Sequence, residues 1–112
     1  MIEYTRFPDA LLAHAAQQMQ SGDYTEAVFT LRRFLHDVHS VWPDTRCDAM
    51  LLLAQCCLHK DNRAEAERWL LRACAELPRS PKPWAQAAAF YETLLPQGAV
   101  FCAARAAAAQ NP

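Results

Sequence analysis

The most constraining feature of the chain is that it resembles itself at a shift of 34 residues. Leu53-Ala54-x-x-Cys57 recurs as Ala87-Ala88-x-x-Tyr91, and the same shift carries Met50 onto Trp84, Ala66 onto Val100, Leu70 onto Ala104, Ala73 onto Ala107 and Pro78 onto Pro112. A period of this length, with small residues at fixed places, belongs to stacked supersecondary units that cannot bury their apolar faces singly.

The unit itself is legible in EAERWLLRACAELPRSPKPW, residues 65 to 84. Ala66, Trp69, Leu70, Ala73 and Leu77 follow helical spacing, while Glu65, Arg68, Arg72 and Glu76 lie mainly off that line and suit a solvated face with an Arg72–Glu76 pair. Asn62 followed by Glu65 predicts a capping box, Pro78 stops the helix, and Ser80 with Pro81 predicts the cap and first turn of the next one.

An earlier copy lies in LLAHAAQQMQSGDYTEAVFTLRRFL. Leu11, Ala15, Ala27 and Leu31 match, whereas His14, Gln18 and Phe34 depart. The interval from Ala27 to Ala66 exceeds the period by five residues, and the surplus falls in HSVWPDTR, which predicts a longer connection there. Helices are expected over 8–20, 24–38, 44–59, 62–77, 81–94 and 97–110, forming hairpins at about 8–39, 44–80 and 81–112 within a single domain.

These residues resemble the tetratricopeptide repeat, whose signature is a large residue, a Leu-Gly/Ala pair, an aromatic, two alanines and a terminal proline; Gly22-Asp23-Tyr24-x-Glu26-Ala27 is close to that family's inter-helix turn. The resemblance implies an all-α protein, a right-handed α-solenoid of three hairpins and six antiparallel helices, in which the first helix of each pair lines a concave partner-binding groove. Carried over by position, that groove comprises Leu12, Met19, Leu51, Leu52, Gln55, Leu58, Lys82 and Gln86. Leu12 and Ala16 stand where the carboxylate-clamping members of the family have Lys and Asn, which argues against a binder of peptide C-termini. The leucines suit an amphipathic helix, a neighbouring domain or a second copy; with a different helix rotation the same leucines would be core. The helix QGAVFCAARAAAAQ carries one charge, Arg105, and is expected to be covered either by a further repeat or domain of a parent protein or by self-association.

A narrower resemblance runs through WPDTRCDAMLLLAQCC, EAERWLLRACAELP and PKPW, in which Trp42, Arg46, Cys47, Asp48, Trp69, Leu70, Leu71, Arg72, Glu76, Pro83 and Trp84 are similar to the repeat region attached to bacterial family 2 glycosyltransferases. The later tryptophan-containing turn of that group is replaced by LLPQG. The resemblance implies that the chain is a non-catalytic segment of a larger enzyme, mediating docking or oligomerisation. A free-standing adaptor or secretion-type chaperone binding a client's amphipathic helix is the other expectation.

Composition narrows the chemistry. Two glycines among 112 residues favour helices over a sheet. Eleven Lys and Arg against twelve Asp and Glu, without a basic run, argue against nucleic acid. The longest apolar stretch, near AMLLLAQCCL, is short of a membrane span, and the acidic start does not fit a secretory leader, so a cytoplasmic protein is expected. Cys47, Cys56, Cys57, Cys74 and Cys102 form no C-x-x-C, and Cys56 and Cys57, about 100° apart on a helix, are not placed to bond to each other. No catalytic residue, metal or cofactor is expected: His36, His39 and Cys47 fall short of a four-ligand zinc pattern, and Cys57 and His59 face different ways on one helix. Trp42 remains open as a contact in the connection.

Overall fold

A computed structural model describes residues 8–37 and 43–110. His39, Trp42 and Pro112 lie outside the described residues. Six helices follow one another: α1 (Pro8–Gln20), α2 (Tyr24–Asp37), α3 (Pro43–His59), α4 (Arg63–Glu76), α5 (Pro81–Leu94) and α6 (Pro96–Gln110). The described chain is all-α, and each boundary agrees with the sequence expectation to within a residue or so. Part of HSVWPDTR is helical, because Pro43 starts α3 and Asp44 sits favourably in its first turn. α1, α3, α5 and α6 all begin on a proline, where the missing N–H leaves no helix bond unmade.

The connections from α1 to α2 and from α3 to α4 are the same turn. Gly22 (φ 80°) and Asp61 (φ 61°) are both left-handed. Around Gly22, Ser21 N donates to Gln17 O, Gly22 N to Met19 O, Asp23 N to Gln18 O and Ala27 N to Asp23 O; around Asp61, Lys60 N donates to Cys56 O, Asp61 N to Leu58 O, Asn62 N to Cys57 O and Ala66 N to Asn62 O. Every pair of equivalents is separated by 39 residues. Such a turn satisfies the carbonyls left over at a helix C-terminus.

At the start of α4, Asn62 Oδ1 accepts from Glu65 N at 3.3 Å as expected. The return contact differs from a capping box, because Glu65 Oε2 accepts from the Asn62 side-chain amide (3.0 Å) while Asn62 N serves the preceding turn. Ser80 occupies the position before α5, yet its hydroxyl makes no capping bond; Pro81 supplies the first-turn geometry alone.

Consecutive helices pack on one another, and α3 additionally touches α1 and α5, so it is surrounded by four neighbours. Accordingly most of α3's circumference is buried, with Cys47, Ala49, Met50, Leu51, Leu53, Ala54, Cys56 and Cys57 inside, and the stripe of Asp48, Leu52, Gln55 and His59 is left half-buried or exposed. The principal core joins these to Leu11, Ala15, Ala27, Leu31 and Phe34 of the first hairpin and to Ala66, Trp69, Leu70 and Ala73 of α4. Phe34 fills the place equivalent to Ala73 and is fully buried.

Arg46 fastens this assembly. Its Nε donates to Glu76 Oε1 (2.9 Å) and its Nη1 to the carbonyl of Leu35 (3.1 Å), tying the start of α3 to the ends of α2 and α4. The Arg72–Glu76 pair expected from spacing is therefore replaced: Glu76 serves Arg46, and the Arg72 guanidinium lies 4.7 Å from the centre of the Trp69 ring.

The third hairpin departs from the other two. Only Leu95 separates α5 from α6, and a Cβ on Gly98 would stand 3.2 Å from Tyr91 Cγ and 3.3 Å from Leu95 Cδ2, so the backbone of α6 lies close against α5. This tight link rotates α6. Val100, Ala104 and Ala107, which the 34-residue shift equates with buried Ala66, Leu70 and Ala73, are exposed; Cys102 and Ala106 point inward instead. A small second cluster of Cys74, Ala87 and Cys102, flanked by Trp84, Ala88 and Tyr91, is what holds this hairpin to α4.

Candidate partner-binding groove

The α3 face was expected to present a leucine stripe, and most of that stripe is interior. Leu51 is 2% exposed and belongs to the core, as a helix contacted by α1, α2, α4 and α5 has little open surface. Leu12, Met19 and Leu52 are half-buried and packed on the same core. Consecutive leucines 51 to 53 left the rotation of α3 undetermined in the sequence.

What remains open is a depression of about 330 Å³ between α3 and α5, lined by Gln55, Leu58, Gln86, Ala89 and Phe90, with Leu70 of α4 beneath. Leu58 is 41% exposed there. Three predicted groove residues, Gln55, Leu58 and Gln86, are thus brought together. Phe90, one turn after Gln86, was missed, although its i+4 spacing placed it on the same face.

Lys82 lies farther along the α3/α5 seam, where its Nζ meets Asp48 Oδ1 at 3.0 Å. The two residues are 34 apart, one period, and tie successive hairpins. An exposed pair of this kind contributes little stability but sets a charged end to the seam. At the turns, Tyr24 stacks on His59, with ring centres 4.4 Å apart, and Lys60 Nζ donates to Thr25 Oγ1 at 3.3 Å.

His14 and Gln18, which departed from the repeat pattern, occupy the outer side of the first hairpin. Their equivalents in the second hairpin, Leu53 and Cys57, are buried. Thr30 Oγ1 donates to Gln18 Oε1 at 2.9 Å across this side, whose polar residues suit contact with water.

The five cysteines are free and buried. Loss of water around them pushes Cys47 and Cys56 up to about 11 and Cys74 up to about 12, and raises Cys57 and Cys102 as well. A nucleophilic cysteine has the opposite character, a lowered pKa in an electropositive, partly exposed place. Cys57 is buried while His59 is exposed against Tyr24, so the two form no pair. Tyr91 donates to Glu67 Oε2 at 2.7 Å, and burial followed by this bond raises its pKa; it is a link between α5 and α4. Among the described residues no group of three or more His, Cys, Asp and Glu could hold a metal ion, and no helix is long and apolar enough to cross a membrane.

Several of the residues behind the narrower glycosyltransferase resemblance have structural work in this fold. Arg46 and Glu76 pair, Asp48 reaches Lys82, Trp69 carries Arg72, and Trp84 Nε1 donates to Pro78 O at 3.0 Å. Comparison with protein-family models, with curated proteins and with solved structures finds no match to the chain.

Proposed function

We propose that the chain is a non-catalytic protein-interaction module of the tetratricopeptide type, three helical hairpins stacked as a right-handed solenoid, which docks an amphipathic helix of a protein partner between α3 and α5. The observation that carries the docking reading is the apolar depression where exposed Leu58 and half-buried Phe90 are flanked by Gln55 and Gln86. An apolar floor with amide groups at its rim suits the i, i+3, i+4 anchors of a helix. The repeat reading draws support from the two turns matching bond for bond and from Asp48 meeting Lys82 one period away.

A photo-crosslinking side chain at position 58, with a control at exposed Ala64, tests this reading in cells. Adducts obtained from position 58 and absent from position 64 support the groove; equal labelling at both removes it.

The run from Arg46 to Trp84 further supports placement of the module in a bacterial family 2 glycosyltransferase, in the cytoplasm. An antibody against this segment would then detect a polypeptide several times larger than 12.6 kDa, whereas a band at 12.6 kDa would favour a free-standing adaptor. Transfer of sugar by the purified chain, lost on mutation of one of its carboxylates, would overturn a non-catalytic role.

Self-association is proposed through α6. Val100 and Phe101 are 71% and 60% exposed beside Ala104, Ala107 and Ala108, whereas on the outer side of α1 and α2 the exposed Phe29 stands among His14, Gln18 and Thr30. An apolar patch carried by one helix is self-complementary, which suits a two-fold pairing of α6 with α6. Sedimentation of the wild type as a dimer and of Val100→Glu as a folded monomer is the expected result.

A further inference from the structure

On the outer side of α2 and α4, away from the α3/α5 depression, cationic side chains converge. Arg32 from α2 and Arg68 and Arg72 from α4 line a hollow of about 300 Å³ together with Trp69 and Glu65. Glu65 is the one carboxylate lining it, and both its oxygens are engaged: Oε1 accepts from Arg32 Nη2 and Oε2 from Asn62 Nδ2, each at 3.0 Å. Glu76, a turn beyond Arg72, is held by Arg46.

Arg68 and Arg72 are consequently left without a carboxylate among the described residues. They stand one helical turn apart, so their side chains rise from one face. Arg72 is held in place by stacking on Trp69, 4.7 Å from the ring centre. Since Arg32 and Glu65 cancel, the hollow carries two uncompensated positive charges in a chain whose formal charge is −1.

We propose that this hollow is a binding site for a phosphoryl group. A dianionic, tetrahedral phosphate matches the two spare charges and offers enough oxygens for the forked donors of Arg68 and Arg72, with the unused nitrogens of Arg32 on the opposite wall. A single carboxylate would leave one positive charge uncompensated. The phosphoryl group would come from a free phosphate or from a phosphorylated side chain on a protein segment.

The test is a titration of the ¹⁵N-labelled full chain with inorganic phosphate and, separately, with O-phosphoserine, each against chloride at equal ionic strength, following the arginine Nε–Hε signals. Saturable shifts at Arg68 and Arg72 are expected. Arg68→Gln should weaken binding on the order of tenfold, the loss of charge-assisted hydrogen bonds from one guanidinium. Arg68 makes no contact on which the fold depends, so a loss there is not attributable to unfolding, whereas Arg72→Gln also removes the stacking on Trp69. Arg68→Lys, which keeps the charge without the fork, should fall between. Shifts no different from those with chloride, or affinity unchanged in Arg68→Gln, would overturn the site. Tighter binding of O-phosphoserine than of phosphate would point to a phosphorylated segment, and equal binding to a free anion; either upholds the site.

Discussion

Asp61 stands in the turn from α3 to α4 where Gly22 stands in the turn from α1 to α2, 39 residues earlier, and both backbones are left-handed. Only glycine adopts this conformation without a steric penalty, and the penalty for other residues is about 1–2 kcal/mol, less for Asp. Asp61→Gly should therefore raise stability by about 0.5 kcal/mol after the entropy of the freed unfolded chain is subtracted. Gly22→Ala should lower it by about 1 kcal/mol although its new Cβ meets nothing within 4 Å. Urea unfolding followed by circular dichroism checks both signs.

Leu51 and Leu58, about two turns apart on one helix, should respond differently to truncation. Leu51→Ala opens a cavity in a closed core and should cost about 3 kcal/mol. Leu58→Ala removes a side chain already 41% exposed and should cost less than about 1 kcal/mol. Equal losses in a chemical melt would mean that the α3/α5 depression is closed in solution.

The Arg46–Glu76 pair joins three helices at a place where the side chains are 14% and 23% exposed. Removing the guanidinium leaves Glu76 and the Leu35 carbonyl without this donor, so Arg46→Ala should destabilise by about 2 kcal/mol. Glu76→Gln retains an acceptor and loses only the charge, with an expected cost of about 1 kcal/mol. A double-mutant cycle with both positions altered isolates the pair.

Buried thiols set the alkaline limit of the fold. Each folded-state pKa lies above the ordinary thiol value of 9.0, up to about 11 for Cys47 and Cys56 and about 12 for Cys74. Above pH 9 the unfolded chain releases these protons while the folded chain still holds them, so stability is full below pH 9 and falls as pH rises from 9 towards 12. Thermal melts at pH 7, 9 and 11 should give a falling Tm over the last interval. In the same samples, a thiol reagent at pH 7 should label the native protein slowly and all five cysteines after denaturation.

The legible parts of the fold were those fixed by local chemistry. Pro81 at the start of α5, Gly22 in its turn and Asn62 before α4 bounded the helices closely, since backbone restrictions act within a few residues. Rotation was harder. Leu51, Leu52 and Leu53 present apolar groups on three sides of α3, and only the surrounding helices decide that Leu51 goes inside. In α6 the contrast is weaker still, because Val100 and Ala104 differ little in hydrophobicity from Cys102 and Ala106; the one-residue link at Leu95 chose between them. Of the expected groove, Gln55, Leu58 and Gln86 were recognisable as one surface, whereas Phe90 lay one turn beyond the residues carried over. The partners of charged groups were illegible for a different reason: Arg46 and Glu76 are 30 residues apart, and no periodicity on one helix reveals a bond between two.

The principal core ends at Ala73, and the last hairpin is held by a cluster built around two cysteines and an alanine. Small side chains bury little apolar area, so the contact between α4 and α5 is the weakest of the seams between consecutive helices. Amides of α5 and α6 should therefore exchange with solvent deuterium through an opening that leaves α3 protected, with the final hairpin detaching as a unit before the remainder unfolds.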